Sequence, residues 1–244
     1  MSIFKYMSTK LYNGGEEINL LEKVFEDKFL RFSSPLNFND PFEFRSPIEY
    51  LNPSNSNDLN NLINNTFDKN QFHNTALDDM LRNIGILCLS ANNNKILMWS
   101  HYANNHKGIV LEFDKNHLFF TESNEDKKLI HGLKKVKYQR FKPKPKSIEE
   151  YFSQDPYLTK HLIWEKEQEY RMTILFDESD NVDKYNIKFP SELIKAVYLG
   201  VKTDNKDCQY ILNLKQKKEW EHLNIYKFGM DENSYNLILY KLEL

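Results

Sequence analysis

The 244-residue sequence predicts an α+β fold: a single domain over residues 1–244, with a central mixed sheet flanked by helices. Three observations carry that expectation. Two nearly uninterrupted apolar runs of strand length, Ile84 to Ser90 and Gly108 to Phe113, stand near the middle of the chain. Helix-patterned segments separate some strands and not others, so the order does not repeat as βαβ units. No Pro/Gly/Ser-rich linker divides the chain, and its length is sufficient for one core without covalent staples.

Taken in order, Ile3 to Tyr6 reads as a strand. Glu16 to Phe25 is helical in pattern, with Ile18, Leu21, Val24 and Phe25 on one stripe. Phe29 to Phe32 returns to strand. Ser33 to Asp58 is rich in Ser, Asn and Pro, as expected of a long ordered loop, and such loops in compact domains are often functional. Helices follow around Asp58 to Phe67 and Thr75 to Asn83. Lys95 to Tyr102 is a helical segment between the two central strands, and the three together form a strand, helix, strand centre. A basic stretch leads to a helix near Pro156 to Glu165 and a strand from Glu167 to Phe176. Another strand around Lys195 to Leu199, a helix from about Asn205 to Trp220 and two closing strands complete the chain. There are no internal repeats.

Composition narrows the function classes. The 17 Phe, 14 Tyr and 3 Trp offer large apolar area to a core or a ligand pocket. Cys88 and Cys208 have no metal-binding spacing, and Cys88 lies in an apolar run where a thiol behaves as a small hydrophobe. That usage, with no leader-like N-terminus and no window approaching the roughly 18 apolar residues of a membrane span, predicts a cytoplasmic protein without a membrane partner. The formal net charge of −2 argues against a generic nucleic-acid binder. Yet Lys127 to Lys146 holds cations and no acid, with Tyr138 and Phe141 among them. That is the composition of a phosphate-tracking strip with stacking partners, and equally of a solvated hairpin stiffened by Pro143 and Pro145.

The strongest local signal lies between Trp164 and Thr173. Period-two alternation places Tyr170, Met172, Ile174 and Phe176 on one strand face and Glu167, Glu169, Arg171 and Thr173 on the other. Two carboxylates beside a guanidinium can bind a sugar hydroxyl, steady an oxocarbenium ion or activate a nucleophile. A solvated face on which Arg171 screens its neighbours explains the same residues. In Phe38 to Glu43, Asp40 can serve as a helix N-cap, with Pro41 at the first helical position and Glu43 closing a capping box. Alternatively Asn39, Asp40 and Glu43 line a cleft and hydrogen-bond a polar ligand. Trp99, His101 and Tyr102 can stack a planar ring or simply fill the core, and Ser90 can cap its strand or touch ligand. No histidine pair, C-x-x-C, P-loop, G-x-S-x-G or G-x-G-x-x-G occurs, so no metal is expected and serine-hydrolase, NTPase and Rossmann chemistry are not first choices. A carboxylate metal site from Asp40, Glu43 and Glu167 stays open.

Read together, Phe4-Lys5-Tyr6, Phe38 to Glu43, Leu87 to Ser90, Met98 to Tyr102, Gly108 to Phe113, Trp164-x-x-Glu167-x-Glu169-x-Arg171 and Ala196 to Gly200 resemble a bacterial family catalogued as domain of unknown function 2971. The resemblance covers almost the whole chain. A second resemblance, at the level of fold, is to ADP-ribosyltransferases, whose later strand opens on Glu-x-Glu as Glu167-x-Glu169 does here. It implies an ADP-ribosyltransferase-like fold with NAD as substrate. Glu169 would be the catalytic glutamate, Glu167 its partner toward the acceptor, Ser90 a wall of the dinucleotide site, and Lys5 or Tyr6 the early-strand contact. Trp99, His101, Tyr102 and Arg171 would complete the cofactor site. The first strand departs from those enzymes in having no Arg or His.

The leading expectation is therefore an NAD-using ADP-ribosyltransferase-like enzyme or NAD hydrolase, acting as a toxin or phage-defence effector on a protein or nucleic-acid acceptor. One rival is a nucleic-acid- or protein-binding module using residues 127–146. A carboxylate metal-dependent nuclease is the other.

Overall fold

The computed structural model describes residues 1–45, 78–79, 81–123, 128–146, 150, 155–176 and 185–242. The main sheet has eight strands: β1 (Ser2–Met7), β5 (Ile84–Ser90), β6 (Ile109–Asp114), β7 (Lys128–Lys135), β10 (Glu169–Leu175), β12 (Ile194–Leu199), β13 (Asn224–Met230) and β14 (Leu237–Lys241). Their spatial order is β14-β13-β12-β6-β1-β5-β10-β7. All neighbours are antiparallel except β12 with β13, so the sheet is mixed. Three two-stranded ribbons accompany it: β2 (Lys10–Asn13) with β3 (Glu16–Asn19), β4 (Phe29–Arg31) with β11 (Asn186–Lys188), and β8 (Lys137–Gln139) with β9 (Thr159–His161). The described α-helices are α1 (Leu20–Phe25), α2 (Ile96–Tyr102) and α3 (Asn205–Leu214), with one more turn of helix at Asp78, Asp79 and Leu81. The α+β expectation holds. Among the described residues no helix is long and apolar enough to cross a membrane.

Several local expectations give way to tertiary pairing. Glu16 to Asn19 is strand, not the start of a helix. Gly14 and Gly15 both take positive φ, 59° and 94°, and form a two-residue loop that pairs Asn13 with Glu16. The helix starts only after Asn19, whose Oδ1 accepts from the main-chain N–H of Leu21 at 3.0 Å. The expected helix near Pro156 to Glu165 is two short 3-10 turns, Asp155–Leu158 and Leu162–Glu167, around β9, which pairs in parallel with β8. Asn205 to Trp220 is α3 followed by a separate 3-10 turn, Lys218–Trp220. The two central apolar strands are not neighbours, because β1 runs between β5 and β6. The helix expected at Asp58 to Phe67 lies outside the described residues.

The sheet buries both faces differently. On one face Ile3, Leu87, Leu111, Met172, Ile174 and Val197 pack with Leu21, Val24 and Phe25 of α1 and Ile211 and Leu214 of α3. On the other face two smaller clusters stand apart. Phe4, Tyr6, Val110, Tyr198 and Phe228 gather around Trp99 of α2, while Ile84 and Ile86 meet Phe44, Leu81 and Tyr157. Close main-chain approach explains two motif glycines: the Gly200 N–H donates to the Gly108 carbonyl at 3.1 Å. A Cβ on Gly108 would strike the Met7 carbonyl oxygen, and one on Gly200 that of His106.

Candidate functional site

Between the two smaller clusters the sheet carries a polar row. Ser90 of β5 is paired with both Phe4 of β1 and Glu169 of β10, and Phe4–Ser90 is the register pair that joins β1 to β5. Cys88 is opposite Arg171 one step along, on the same face as Glu169. Glu169, Arg171 and Thr173 are 5%, 0% and 0% exposed, so this strand face is interior and not the solvated one that alternation also allowed. The strand opens at Glu169. Glu167 closes the preceding 3-10 turn, and Gln168, with φ 47° and ψ 50°, turns the chain so that both glutamates face inward.

A buried ionic network fills this region. Arg171 donates from Nε to Glu169 Oε1 at 2.7 Å and from Nη2 to Glu169 Oε2 at 2.9 Å. Its Nη2 also contacts Glu43 Oε2, and its Nη1 donates to the Tyr157 carbonyl at 3.0 Å. The guanidinium carbon lies 5.5 Å from the ring centre of Phe38 and 5.2 Å from that of Phe44, two rings that meet each other edge to face at 4.9 Å and together offer the cation an aromatic corner. Lys160 Nζ stands among three carboxylates, 2.6 Å from Glu167, 3.2 Å from Glu169 and 3.2 Å from Glu43. Tyr102 donates its hydroxyl to Glu167 Oε1 at 2.7 Å, and Asn39 Nδ2 donates to that hydroxyl at 3.4 Å. Tyr138 accepts from the Glu169 main-chain N–H at 2.8 Å.

Burial and charge act in opposite directions on these groups. Burial would raise the Glu169 carboxyl, but Arg171 and Lys160 reverse that and hold it at about 2. On Glu43 burial wins over the same two cations, and its pKa is raised. Lys160 loses from burial and gains more from Glu169, Glu43 and Glu167, so it stays protonated well above its ordinary range. Burial pushes the Cys88 thiol well up, and Glu169 adds to the effect. Lys5 is also desolvated, which lowers its pKa.

Two cavities flank the network, and Asn39 and Lys160 line both. The smaller, of about 400 Å3, has Lys5 and Tyr6 on one side, Ser90 and Cys88 on its floor, His101 and Tyr102 from α2, and Glu167 and Glu169. Volumes of this order are usual for small-molecule sites. The larger, of about 590 Å3, takes Asp40 and Glu43 together with Trp164 and residues of β8 and β9. The structure thus gathers Lys5, Tyr6, Asn39, Ser90, His101, Tyr102, Glu167 and Glu169 around one space. Trp99 lines neither cavity. Its ring is fully buried beside Tyr6 and Phe228, with Nε1 donating to the Asn93 carbonyl at 2.7 Å, so it is a core residue. Arg171 lies behind Glu169 and lines neither cavity.

Two further roles differ from their sequence readings. Asp40 does cap, but a turn: its Oδ1 accepts from the Phe42 N–H at 2.9 Å and its Oδ2 from Trp164 Nε1 at 2.8 Å, and residues 41–44 form no helix. Glu43 reaches Arg171 and Lys160 instead of closing a capping box. Ser90 both donates to the Glu167 carbonyl at 2.7 Å and accepts from the Asn92 N–H at 3.2 Å, which ties the end of β5 to the turn carrying the glutamates.

Lys160 was not visible as a site residue in the sequence. The signal lay in its surroundings, since Tyr157 to Trp164 is otherwise apolar apart from Thr159 and His161 and carries one lysine at its centre. Among the described residues no group of three or more His, Cys, Asp or Glu is disposed around a vacant metal position, and in the glutamate cluster a lysine ammonium occupies the centre.

No curated protein and no solved structure matches the chain. Residues 98–172 match the family model described as protein of unknown function (DUF2971). The chain is similar to that family over the span that holds Tyr102, Lys160, Glu167, Glu169 and Arg171.

Proposed function

We propose that the protein is an enzyme that cleaves the nicotinamide–ribose bond of NAD in the smaller cavity, passing the ADP-ribosyl group to an acceptor or to water. The observation that carries this reading is the convergence of Glu167 and Glu169 with Lys5 and Ser90 from the two adjoining strands around one space with aromatic walls. Heterolysis of the bond lets nicotinamide leave neutral with the electron pair and builds positive charge on the ribose. Carboxylates fixed in a dry, preorganised site stabilise such charge. Glu169, held ionised by Arg171 and Lys160, supplies fixed charge and sets the position of Lys160. Glu167 stands nearer the open side with Tyr102, and is the carboxylate that receives the proton released when the acceptor adds to the ribose. Tyr102, Phe4 and Phe38 give ring faces against which a nicotinamide can stack. The ADP-ribosyltransferase resemblance supports the reading at the level of fold analogy alone.

The test is incubation of purified protein with NAD and cell lysate, following nicotinamide release and transfer of adenylate label for the wild type, Glu167→Gln and Glu169→Gln. Release that both substitutions remove, in variants that still melt cooperatively, supports the reading. Unchanged release in both variants sinks it, as does its absence in every lysate.

A further inference from the structure

The larger cavity is lined in a way that the NAD reading does not use. Its mouth presents Phe42 and Phe141, 69% and 78% exposed, with Ile163 at 77%. Half-buried Trp164 forms part of the wall, its indole N–H fixed on Asp40. Exposed singly such side chains are ordinary, but gathered at one cavity mouth they form an apolar patch of the kind that marks a binding surface. The charges around them are sorted. Both acids of the lining, Asp40 and Glu43, are buried and engaged, Asp40 with Phe42 and Trp164, Glu43 with Arg171 and Lys160. The exposed side chains of the lining that carry a fixed charge are cationic. Arg140 makes no hydrogen bond or ion pair among the described residues, and Lys142 Nζ lies 5.4 Å over the Phe42 ring and 3.0 Å from the Arg45 carbonyl. Beyond the mouth the same segment carries Lys144 and Lys146 before it meets the Glu150 carboxylate, which accepts from the Lys146 main-chain N–H, so it holds more cations than a single phosphate needs.

We propose that this cavity and the segment 139–146 bind single-stranded nucleic acid, with a base stacked on Phe141 or Phe42 and the phosphates following Arg140, Lys142 and the lysines beyond. The chemistry matches on both counts: exposed rings take any unstacked base face, and cations that have no carboxylate partner among the described residues take the backbone. Duplex DNA or RNA offers no free base face to these rings. The proposal stands on this cavity alone and does not depend on NAD cleavage in the other one.

The experiment is fluorescence anisotropy with labelled single-stranded DNA and RNA oligonucleotides of about 12 nucleotides, at several salt concentrations, using the whole chain. Wild-type protein is expected to bind at least one of the two. Phe141→Ala and Phe141→Leu should each weaken binding by about tenfold. Arg140→Gln combined with Lys142→Gln should lower the slope of log affinity against log salt by about 1.4, because each phosphate that is no longer neutralised removes about 0.7. Charge reversal at Lys218, which lines neither cavity, should leave binding unchanged. The side chains replaced at the mouth are exposed, so melting temperatures should stay close to wild type. No binding at low salt overturns the proposal, as does a duplex of the same length competing equally, or a mononucleotide binding as tightly as the oligonucleotide. Wild-type affinity in the Phe141 variants overturns it as well.

Discussion

Glu169 and Arg171, two residues apart on β10, close a two-point ion pair inside the protein, with Nε–Oε1 and Nη2–Oε2 distances of 2.7 and 2.9 Å. Period two puts both side chains on one face, and the interior position of that face makes the pair obligatory. A buried guanidinium with no carboxylate would be severely costly, and so would the converse.

Arg171→Met is therefore expected to destabilise the fold by about 3–5 kcal/mol, because Glu169 and Glu43, both buried, lose the guanidinium and must share Lys160 alone. Arg171→Lys should recover part of the loss, since an ammonium restores charge without the planar two-point geometry or the guanidinium's contact with the Phe38 and Phe44 rings. Guanidinium unfolding of the three proteins measures the order; equal stability of wild type and Arg171→Met would refute an obligatory pair.

The fold was legible in the sequence where periodicity and burial agree, and lost where pairing with a distant segment decides. Ile84–Ser90 and Ile109–Asp114 are apolar enough to read as strands without context. Glu16 to Asn19 carries a helical stripe, but two glycines at positive φ commit it to a hairpin. Residues 156–165 read as helix because their partner, β8, lies some twenty residues earlier and leaves no mark on local periodicity. The candidate residues were chosen through their types, and the convergence of those around the smaller cavity was not legible. Alternation placed Glu169 and Arg171 together but could not say whether their face met water or protein, and Lys160 became visible only when β9 brought it beneath both glutamates.

Acid should unfold the protein through Glu169. Its carboxyl is held at about 2 in the folded chain against an ordinary value of 4.5, so the contribution is full above about pH 4.5 and is lost as pH falls toward 2. A shift of that size corresponds to roughly 3 kcal/mol. The midpoint of urea unfolding should therefore drop steeply across that interval, and a midpoint flat from pH 5 to 2 would show that Glu169 is not the group lost.

Cys88 should resist alkylation in the native protein. Burial and the neighbouring Glu169 carboxylate raise its thiol well above the usual range, so little thiolate is present to react. Cys208 is also a free thiol, half-buried at the start of α3 with its sulfur 3.6 Å from Lys227 Nζ. Iodoacetamide at pH 8 should give at most one adduct, mapped by mass spectrometry to Cys208, and a second adduct only in denaturant. Cys88 is itself only half-buried, on the floor of the smaller cavity, so rapid native labelling there would contradict its suppressed thiolate.

Glu43 and Glu169 share Arg171 and Lys160, yet their neutralisation should have unequal consequences. Burial already raises the pKa of Glu43, and its Oε1 has no hydrogen-bond donor, with Lys160 Nζ at 3.2 Å meeting it as an ion pair only. The protonated form is therefore comparatively well tolerated there, and Glu43→Gln, which copies its shape without the charge, should cost about 1 kcal/mol. Glu169→Gln removes a carboxylate that is held ionised and leaves the Arg171 fork facing a single acceptor oxygen, so it should cost about 3 kcal/mol or more. On going from pH 7 to pH 5, any proton that Glu43 takes up stabilises the wild type and not Glu43→Gln, because its pKa is raised in the folded chain, so the Glu43→Gln deficit should not shrink, and the Glu169→Gln deficit should persist. Parallel unfolding series at the two pH values decide it, and a larger deficit for Glu43→Gln than for Glu169→Gln would mean that Glu43, not Glu169, is the principal partner of Arg171.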